Sequence, residues 1–264
     1  MPESPLDAKN TIGKVADLLN LSTETIRKYQ KKGIVILETD EETGYRYFDL
    51  PTINKLLRFQ FYKKSGFNGN EAYNLLNMET EKCIPDFLDK RIEQLEEEIR
   101  INKLKIIRLN ELKTLMNSID LYLDKVTERE LPDFYYVDYY RNNELSMGNK
   151  KKLHRMIECM PFATPAPMFR KEKMDELEYG LIAEKKYLEG QNLDGIEHFH
   201  NRKALYMIIK NEQGNSFTFR NIHLITEYAE EHELELECIL GRTILSRSNL
   251  DLSVCFHELW GIIK

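Results

Sequence analysis

The sequence predicts an α+β fold in three parts: a helical module in residues 1–80, one long helix in 81–124, and a mixed module in 125–264. Three observations support this division. Apolar residues in the middle part recur at alternating steps of four and three, as in a long amphipathic helix. Short apolar clusters preceded by helix-capping residues come before it. Alternation of apolar and polar residues, typical of strands, comes after it.

The composition indicates a folded chain with a heavily charged surface. Of its 264 residues 42% are hydrophobic and 31% are charged, and the formal net charge is −6. We find no signal peptide and no apolar stretch of about 18 residues that would span a bilayer. The cysteines are scattered without the spacing of a zinc site, which favours a reduced, cytoplasmic protein. They are Cys83, Cys159, Cys238 and Cys255.

The first 80 residues predict two short helices across a tight turn, with Thr11 and Ser22 as their N-caps. Asn20-Leu21 forms the turn and Gly33 ends the second helix. This arrangement describes a helix-turn-helix. The elements expected next are strands Ile34–Leu37 and Tyr45–Phe48 around a wing-like hairpin, a third helix opened by Pro51, and a fourth at Glu71–Leu76.

Residues 1–80 carry equal numbers of basic and acidic side chains, but the basic ones are clustered, and local patches set the field that a phosphate backbone experiences. The motifs Thr11-Ile12-Gly13-Lys14-Val15-Ala16, Leu21–Arg27 and Gly44–Phe48 resemble, in order and spacing, the MerR family of bacterial transcription regulators. The resemblance covers about residues 11–123. It implies a winged helix-turn-helix, a long antiparallel dimer helix and an effector domain.

The resemblance also implies which residues contact DNA. The second helix enters the major groove, the wing holds the backbone, and the end of the third helix makes a further phosphate contact. The expected DNA-binding residues are Thr11, Thr23, Thr25, Arg27, Lys28, Tyr45, Arg46 and Lys63. The family's Arg-Tyr-Tyr-acid run is replaced by Arg27-Lys28-Tyr29-Gln30, so the operator sequence does not carry over.

The helix expected between about Cys83 and Leu123 carries a narrow apolar seam with one polar layer, Asn102, and charged flanks. The predicted dimer interface is Leu88, Ile92, Leu95, Ile99, Asn102, Ile106 and Leu109. So narrow a stripe on so charged a helix favours pairing with a second copy as an antiparallel coiled coil. The alternative is an ordinary amphipathic helix packed on its own chain.

Residues 125–264 show the order strand, helix, strand, strand twice. The first repeat comprises Phe134–Arg141, Asn149–Met160, Thr164–Lys171 and Glu178–Leu188. The second comprises Ala204–Lys210, Phe217–Glu231, Leu236–Leu245 and Leu252–Ile263. A doubled unit that closes on itself leaves a cleft between its halves for a ligand.

This order and the run Phe256-His257-Glu258-Leu259-Trp260 resemble the GyrI-like effector-binding domain of multidrug-sensing MerR members. In such domains an aromatic pocket with carboxylates takes hydrophobic cations. The candidate ligand-binding residues are Tyr135, Tyr139, Tyr179, Tyr187, Tyr206, Phe217, Phe256, Glu258 and Trp260. Glu258 shares a strand face with Phe256 and Trp260, so it needs a partner such as a tyrosine or Arg242, unless that face lies in solvent. Arg242 stands where relatives often have an acid, which leaves a preference for cations open.

The family resemblance therefore implies a homodimeric regulator that senses a small molecule and acts with RNA polymerase by distorting promoter DNA. A twofold protein is expected to bind a pseudo-palindromic site, and no cofactor is expected. A second hypothesis makes the C-terminal module a hydrolase with Glu178, Glu184 or Glu258 as base, although no acid–base pair or nucleophile motif supports it. Metal sensing would require a cysteine pair near the end of the long helix, and residues 109–131 contain none.

Overall fold

The computed structural model describes residues 10–37, 46–78, 81–141, 144–171, 173–211, 221–248 and 253–264. The chain divides into two compact units, Met1–Ile99 and Arg100–Lys264. The α+β class is confirmed. None of the described helices is long and apolar enough to cross a membrane.

The N-terminal unit contains the predicted pair of short helices, α1 (Ile12–Leu18) and α2 (Thr23–Lys31). The side chain of Thr11 caps α1, and the Ser22 hydroxyl accepts a hydrogen bond of 3.0 Å from the backbone N–H of Thr25 at the start of α2. Asn20 adopts a left-handed conformation (φ 51°), which turns the chain between the two helices. Both predicted caps are therefore confirmed, because short polar side chains satisfy the free N–H groups of a first turn.

Two further helices, α3 (Leu50–Lys64) and α4 (Gly69–Leu76), complete the core of this unit. Asp49 caps α3 and Asn68 caps α4, the latter in a capping box with Glu71. Ile26, Phe48, Leu56 and Phe59 are almost completely buried between the helices.

The strand expected at Ile34–Leu37 is absent from the described residues. Gly33 has a positive φ of 70°, and the backbone N–H of Ile34 then bonds back to the carbonyl of Tyr29. Ile34 and Val35 are both buried, so they fill the core as neighbours instead of alternating along a strand. Phe48 forms only an isolated antiparallel bridge with Asn10. Tyr45 and the rest of the expected wing turn, residues 38–45, lie outside the described residues.

The long helix is α5 (Ile84–Asn117), followed by the short α6 (Ile119–Tyr122). The predicted single helix is thus interrupted at Ser118, whose hydroxyl donates to the carbonyl of Leu115 at 2.8 Å. The end of this segment packs on the C-terminal core through Leu112, Leu115, Ile119, Tyr122 and Leu123.

The C-terminal unit is built on one sheet, of nine strands within the described residues. The strands are β1 (Thr127–Leu131), β2 (Phe134–Arg141), β3 (Glu144–Leu145), β4 (Thr164–Arg170), β5 (Lys173–Glu184), β6 (Glu197–Phe199), β7 (Arg202–Asn211), β8 (Leu236–Ser248) and β9 (Ser253–Ile263). The helices are α7 (Lys150–Glu158) and α8 (His223–Glu231).

The order of the strands confirms the predicted duplication. The first repeat is β2, α7, β4, β5 and the second is β7, α8, β8, β9. In each repeat the last strand lies between the other two, and β4 pairs with β8 to join the repeats. The sequence analysis missed β1, β3 and β6, which extend the sheet beside β7 and β2.

The two faces of this sheet are covered differently. Helices α7 and α8 pack on one face, where Gly261 allows close approach because a Cβ there would lie 2.7 Å from Ile225 Cγ2. The opposite face, here called the inner face, carries Phe134, Tyr136, Tyr206, Leu240 and Trp260, and it packs against the end of α5 and against α6. The core residues of the inner face are therefore in contact with the end of the long helix.

Candidate functional sites

Three basic or polar side chains of α2 and one arginine just before α3 share a single surface depression. Arg27, Gln30, Lys31 and Arg46 line this depression, whose volume is about 530 Å³. Arg27, Lys31 and Arg46 are all exposed. Three cationic side chains that converge on an open surface form a site suited to phosphate oxygens.

The other predicted DNA-binding residues that the structure describes do not line this depression. Lys28 is exposed and pairs with Glu24 at 2.8 Å, and Lys63 is exposed in the last turn of α3. Thr25 Oγ1 lies 2.8 Å from Ser22 Oγ, so Thr25 takes part in the cap of α2. Thr11 caps α1 and Thr23 is half-buried at the start of α2. Thr11 and Thr25 therefore take part in helix capping.

The predicted dimer seam lies open on α5, none of whose residues is buried. Six of its apolar residues have exposed fractions between 37% and 64%: Leu88, Ile92, Leu95, Ile99, Ile106 and Leu109. The polar layer residue Asn102 is also exposed and accepts a hydrogen bond of 3.4 Å from Lys105. Within the described residues, the apolar side chains of this seam are therefore left exposed along α5.

The inner face of the sheet holds a buried ion cluster around Arg242. Arg242 Nε donates to Glu258 Oε2 at 2.5 Å, and its Nη1 donates to Glu184 Oε1 at 2.6 Å. The exposed fractions are 2% for Glu258 and 8% for both Arg242 and Glu184. Tyr206 donates a further hydrogen bond of 3.2 Å to Glu258 Oε1. Glu258 therefore has both partners that the sequence suggested, a tyrosine and Arg242, and it does not face solvent.

A second set of contacts connects this cluster to the long helix. Lys186 Nζ donates to Glu184 Oε2 at 2.6 Å and to Glu111 Oε1 of α5 at 2.8 Å. Tyr187 donates to the other oxygen of Glu111 at 2.5 Å. The residues Glu258, Arg242, Glu184, Lys186 and Glu111 thus form a continuous chain of ion pairs from the middle of the sheet to the helix.

The charges in this series of ion pairs balance. Three carboxylates, those of Glu111, Glu184 and Glu258, meet three cations, those of Arg108, Lys186 and Arg242. Burial by itself would raise the pKa of Glu184, but Arg242 and Lys186 outweigh it and hold the pKa below its ordinary value. Burial raises the pKa of Tyr206, as does the neighbouring Glu258 carboxylate. Glu184 therefore remains charged, and Tyr206 remains a hydrogen-bond donor.

Aromatic rings surround this cluster. The guanidinium of Arg242 lies 5.4 Å from the ring centre of Phe134, and that of Arg129 lies 4.7 Å from Tyr206. The rings of Tyr206 and Trp260 are 4.6 Å apart. Phe256 is half-buried and packs against the same core. Of the predicted ligand-binding residues, Tyr206, Phe256, Glu258 and Trp260 are thus brought together.

The remaining predicted ligand-binding residues lie elsewhere. Tyr135 and Tyr139 pack under α7, and Tyr179 packs with the core under α8, because alternation along β2 and β5 turns them away from the inner face. They therefore cannot line one pocket with Glu258. Tyr187 reaches Glu111 beside the cluster, from a short turn where it stacks on Phe162. Phe217 lies outside the described residues.

The three carboxylates considered as catalytic bases are all paired with arginine. Glu178 meets Arg141 at 2.9 Å and Arg170 at 3.2 Å. Glu184 and Glu258 share Arg242. A carboxylate whose oxygens accept charged hydrogen bonds is a poor proton acceptor, so this geometry gives no support to the hydrolase alternative.

Comparison with known proteins agrees with the geometry of the N-terminal unit. Residues 11–48 match the model of the MerR family regulatory protein. The transcriptional regulator CueR of Escherichia coli O6:H1 is 30% identical over 110 residues, which are 40% of this chain and 81% of that protein. The chain belongs to the MerR family. The mercuric resistance operon regulatory protein of Bacillus cereus is 31% identical over 96 residues, 34% of this chain and 73% of the relative.

A cryo-EM structure of an EcmrR–DNA complex aligns with this MerR-family chain at 16% identity and a TM-score of 0.35. The alignment covers 96% of this chain and 98% of the solved chain. The family model matches residues 11–48, which lie in the N-terminal unit, and the matches to the two relatives cover 40% and 34% of the chain. The N-terminal unit therefore accounts for the family membership, and the chemistry of the C-terminal unit must be argued from its own residues.

Proposed function

We propose that this MerR-family regulator binds promoter DNA as a homodimer and changes transcription when a small molecule binds its C-terminal unit. The single observation that carries the proposal is the basic depression formed by Arg27, Lys31 and Arg46. It lies on the capped second helix of a helix-turn-helix, within the residues that match the family. Recognition helices use this position to enter the major groove.

Dimerisation supplies the symmetry that such a reader needs. The apolar seam on α5 is exposed over its whole length, and a second copy of the same seam would bury it. A twofold dimer reads two half-sites, so the operator should be pseudo-palindromic. Control of transcription would then come from bending and twisting of the promoter on which RNA polymerase acts.

The inner face of the sheet connects the proposed ligand site to the end of the long helix. Its aromatic residues and the Glu258–Arg242–Glu184 cluster lie against the part of the chain that ends the long helix, including Leu112, Leu115 and Tyr122. These groups fill the face, so a ligand that enters here must displace some of them. Displacement shifts the equilibrium between two positions of the helix end, and by linkage it alters DNA binding.

The expected ligand is small and hydrophobic or aromatic. A cationic ligand must compete with Arg242, because that guanidinium already occupies the carboxylates of Glu184 and Glu258. Replacement of Arg242 by methionine would leave the aromatic walls and make the site anionic. The variant should therefore bind a hydrophobic cation more tightly than the wild type.

The DNA-binding part of the proposal is tested by selection of DNA sequences from a random duplex library with the full chain. The wild type should enrich a pseudo-palindrome, and the double variant Arg27→Ala/Arg46→Ala should enrich no sequence. Lys152→Ala, a lysine of α7 outside the basic depression, is the matched control and should select the wild-type sequence. Enrichment of the same sequence by the double variant would remove this depression from the DNA interface.

The sensing part is tested by titration with tetraphenylphosphonium, a hydrophobic cation, followed by the fluorescence of Trp260, the single tryptophan of the chain. We expect Arg242→Met to bind at least about tenfold more tightly than the wild type, as loss of a competing charge-assisted contact of about 1.5–3 kcal/mol implies. Equal affinity for both proteins would show that the cation does not reach Glu258.

A further inference from the structure

Asp133, His198 and His200 lie together where the segment between β1 and β2 meets β6. One possible ligand atom from each residue lies within 4.8 Å of the other two. His198 pairs with Tyr135 in the register of β6 and β2, while Asp133 directly precedes β2. Cysteine spacing gave no sign of this site, since its histidines lie in the run His198-Phe199-His200.

The distance between two of these groups fits a bridging cation better than a hydrogen bond. His198 Nε2 lies 3.7 Å from Asp133 Oδ1, beyond hydrogen-bond range. This nitrogen is buried, and among the described residues it has no hydrogen-bond partner. Bonds of about 2.0–2.1 Å at a tetrahedral Zn²⁺ separate two ligand atoms by about 3.4 Å. A shift of a few tenths of an ångström would therefore place both atoms in coordination.

The surrounding groups hold two of the three side chains in position. The His198 ring stacks on Tyr135 with centroids 4.2 Å apart and planes inclined by 2°. The backbone N–H of Asn201 donates to Asp133 Oδ1 at 2.8 Å. Such outer contacts orient ligands before a metal arrives. His200 is exposed, and its ring centre lies 3.9 Å from that of His198, so it can close the site from the solvent side.

The neighbourhood also allows a cation to enter. Asp133 lines an open polar depression of about 610 Å³, to which Glu130, Glu184 and Glu189 contribute carboxylates and Lys185 and Lys186 contribute ammonium groups. Asp133 borders this open depression and the His200 side chain is exposed, so water can complete the coordination of a metal held by three protein ligands.

We propose that Asp133, His198 and His200 bind a first-row divalent cation of the Zn²⁺ class through two imidazole nitrogens and one carboxylate oxygen. Imidazole with carboxylate suits Zn²⁺ and its neighbours better than Mg²⁺ or Ca²⁺, which prefer oxygen ligands alone. None of these three residues belongs to the ion cluster around Arg242, although Glu184 and Lys186 of that cluster line the same depression as Asp133. The site uses none of the cysteines.

The experiment is isothermal titration of the tag-free full chain with ZnCl₂ at pH 7.5, after removal of metals with EDTA. All proteins carry Cys83→Ser, because Cys83 is exposed and would bind zinc on its own account. We expect one Zn²⁺ per chain. His200→Gln and Asp133→Asn should each weaken binding by more than about tenfold, which is the smallest effect expected for loss of an outer partner.

His154→Gln is the matched control, since His154 is an exposed histidine on α7 away from the cluster. It should bind zinc as the parent does. His200→Gln alters only a solvent-exposed side chain. If this variant keeps the thermal unfolding transition of the parent, weaker zinc binding results from loss of a coordinating side chain and not from loss of the fold. Absence of saturable binding in the parent would overturn the proposal. Equal affinity of the parent, His200→Gln and Asp133→Asn would also overturn it.

Discussion

Arg242→Met is the most informative change in the C-terminal unit. It keeps an unbranched side chain but removes the guanidinium shared by Glu184 and Glu258. Glu184 retains Lys186, and Glu258 retains the Tyr206 hydroxyl, a neutral partner. Removal of one member of a buried ion pair costs about 3–5 kcal/mol, since an uncompensated charge stays behind. We expect a loss of that size in the free energy of unfolding of this unit.

The assay is urea unfolding at pH 7.5 followed by the fluorescence of Trp260, which is 4% exposed in the same core. Arg141→Met is the matched control. Its side chain is 41% exposed and its partner Glu178 also meets Arg170, so it should cost about 1 kcal/mol or less. The double variant Arg242→Met/Glu258→Gln should regain part of the loss. If Arg242→Met unfolds within about 1 kcal/mol of the wild type, the cluster is not held as a buried network.

Three further predictions concern other parts of the chain. Ile99→Asp, which places a charge in the exposed seam of α5, should sediment as a monomer and lose operator binding, and a dimer would exclude this seam as the interface. Arg46→Ala should reduce the slope of log K against log salt by about one unit, as loss of one phosphate contact implies. Arg27→Ala should also relax the preference for particular bases. A variant that keeps the wild-type salt slope would show that the replaced arginine is not in the interface. Burial lowers the pKa of His257 to about 4, so the unfolded chain takes up the proton first as the pH falls. Stability of the C-terminal unit should then decline below pH 6.5, by about 2 kcal/mol between pH 8 and pH 5, and His257→Gln should remove this decline in urea melts.

The sequence predicted those parts of the fold that local chemistry determines. Thr11 and Ser22 lie where capped helices begin, and β2 runs from Phe134 to Arg141 as its alternation indicated. The edge strand β1 was missed because its sequence Thr-Glu-Arg-Glu-Leu is largely charged and exposed, so no apolar alternation marks it. The prediction of a strand at Ile34–Leu37 was wrong because the consecutive residues Ile34 and Val35 both point into the core.

Contacts between residues that are distant in the sequence were harder to predict. The pairing of Glu258 with Arg242 could be anticipated, because alternation on β9 placed a carboxylate between two aromatic residues that needed a donor. The link from Lys186 to Glu111 joins residues 75 positions apart, and no local pattern indicates it. Tyr135, Tyr139 and Tyr179 were assigned to the ligand pocket because the GyrI-like domain that the sequence resembles has an aromatic one, and the pleat of their strands places them on the opposite face.

In the proposed complex, a dimer held together by α5 binds DNA through two copies of the basic depression. Mass photometry of the full chain on a duplex carrying its selected sequence counts the bound copies. We expect two copies of the chain on each duplex, bound at the two halves of a pseudo-palindrome, and no complex with Ile99→Asp under the same conditions. One copy per duplex, or an Ile99→Asp complex equal to that of the wild type, would contradict it.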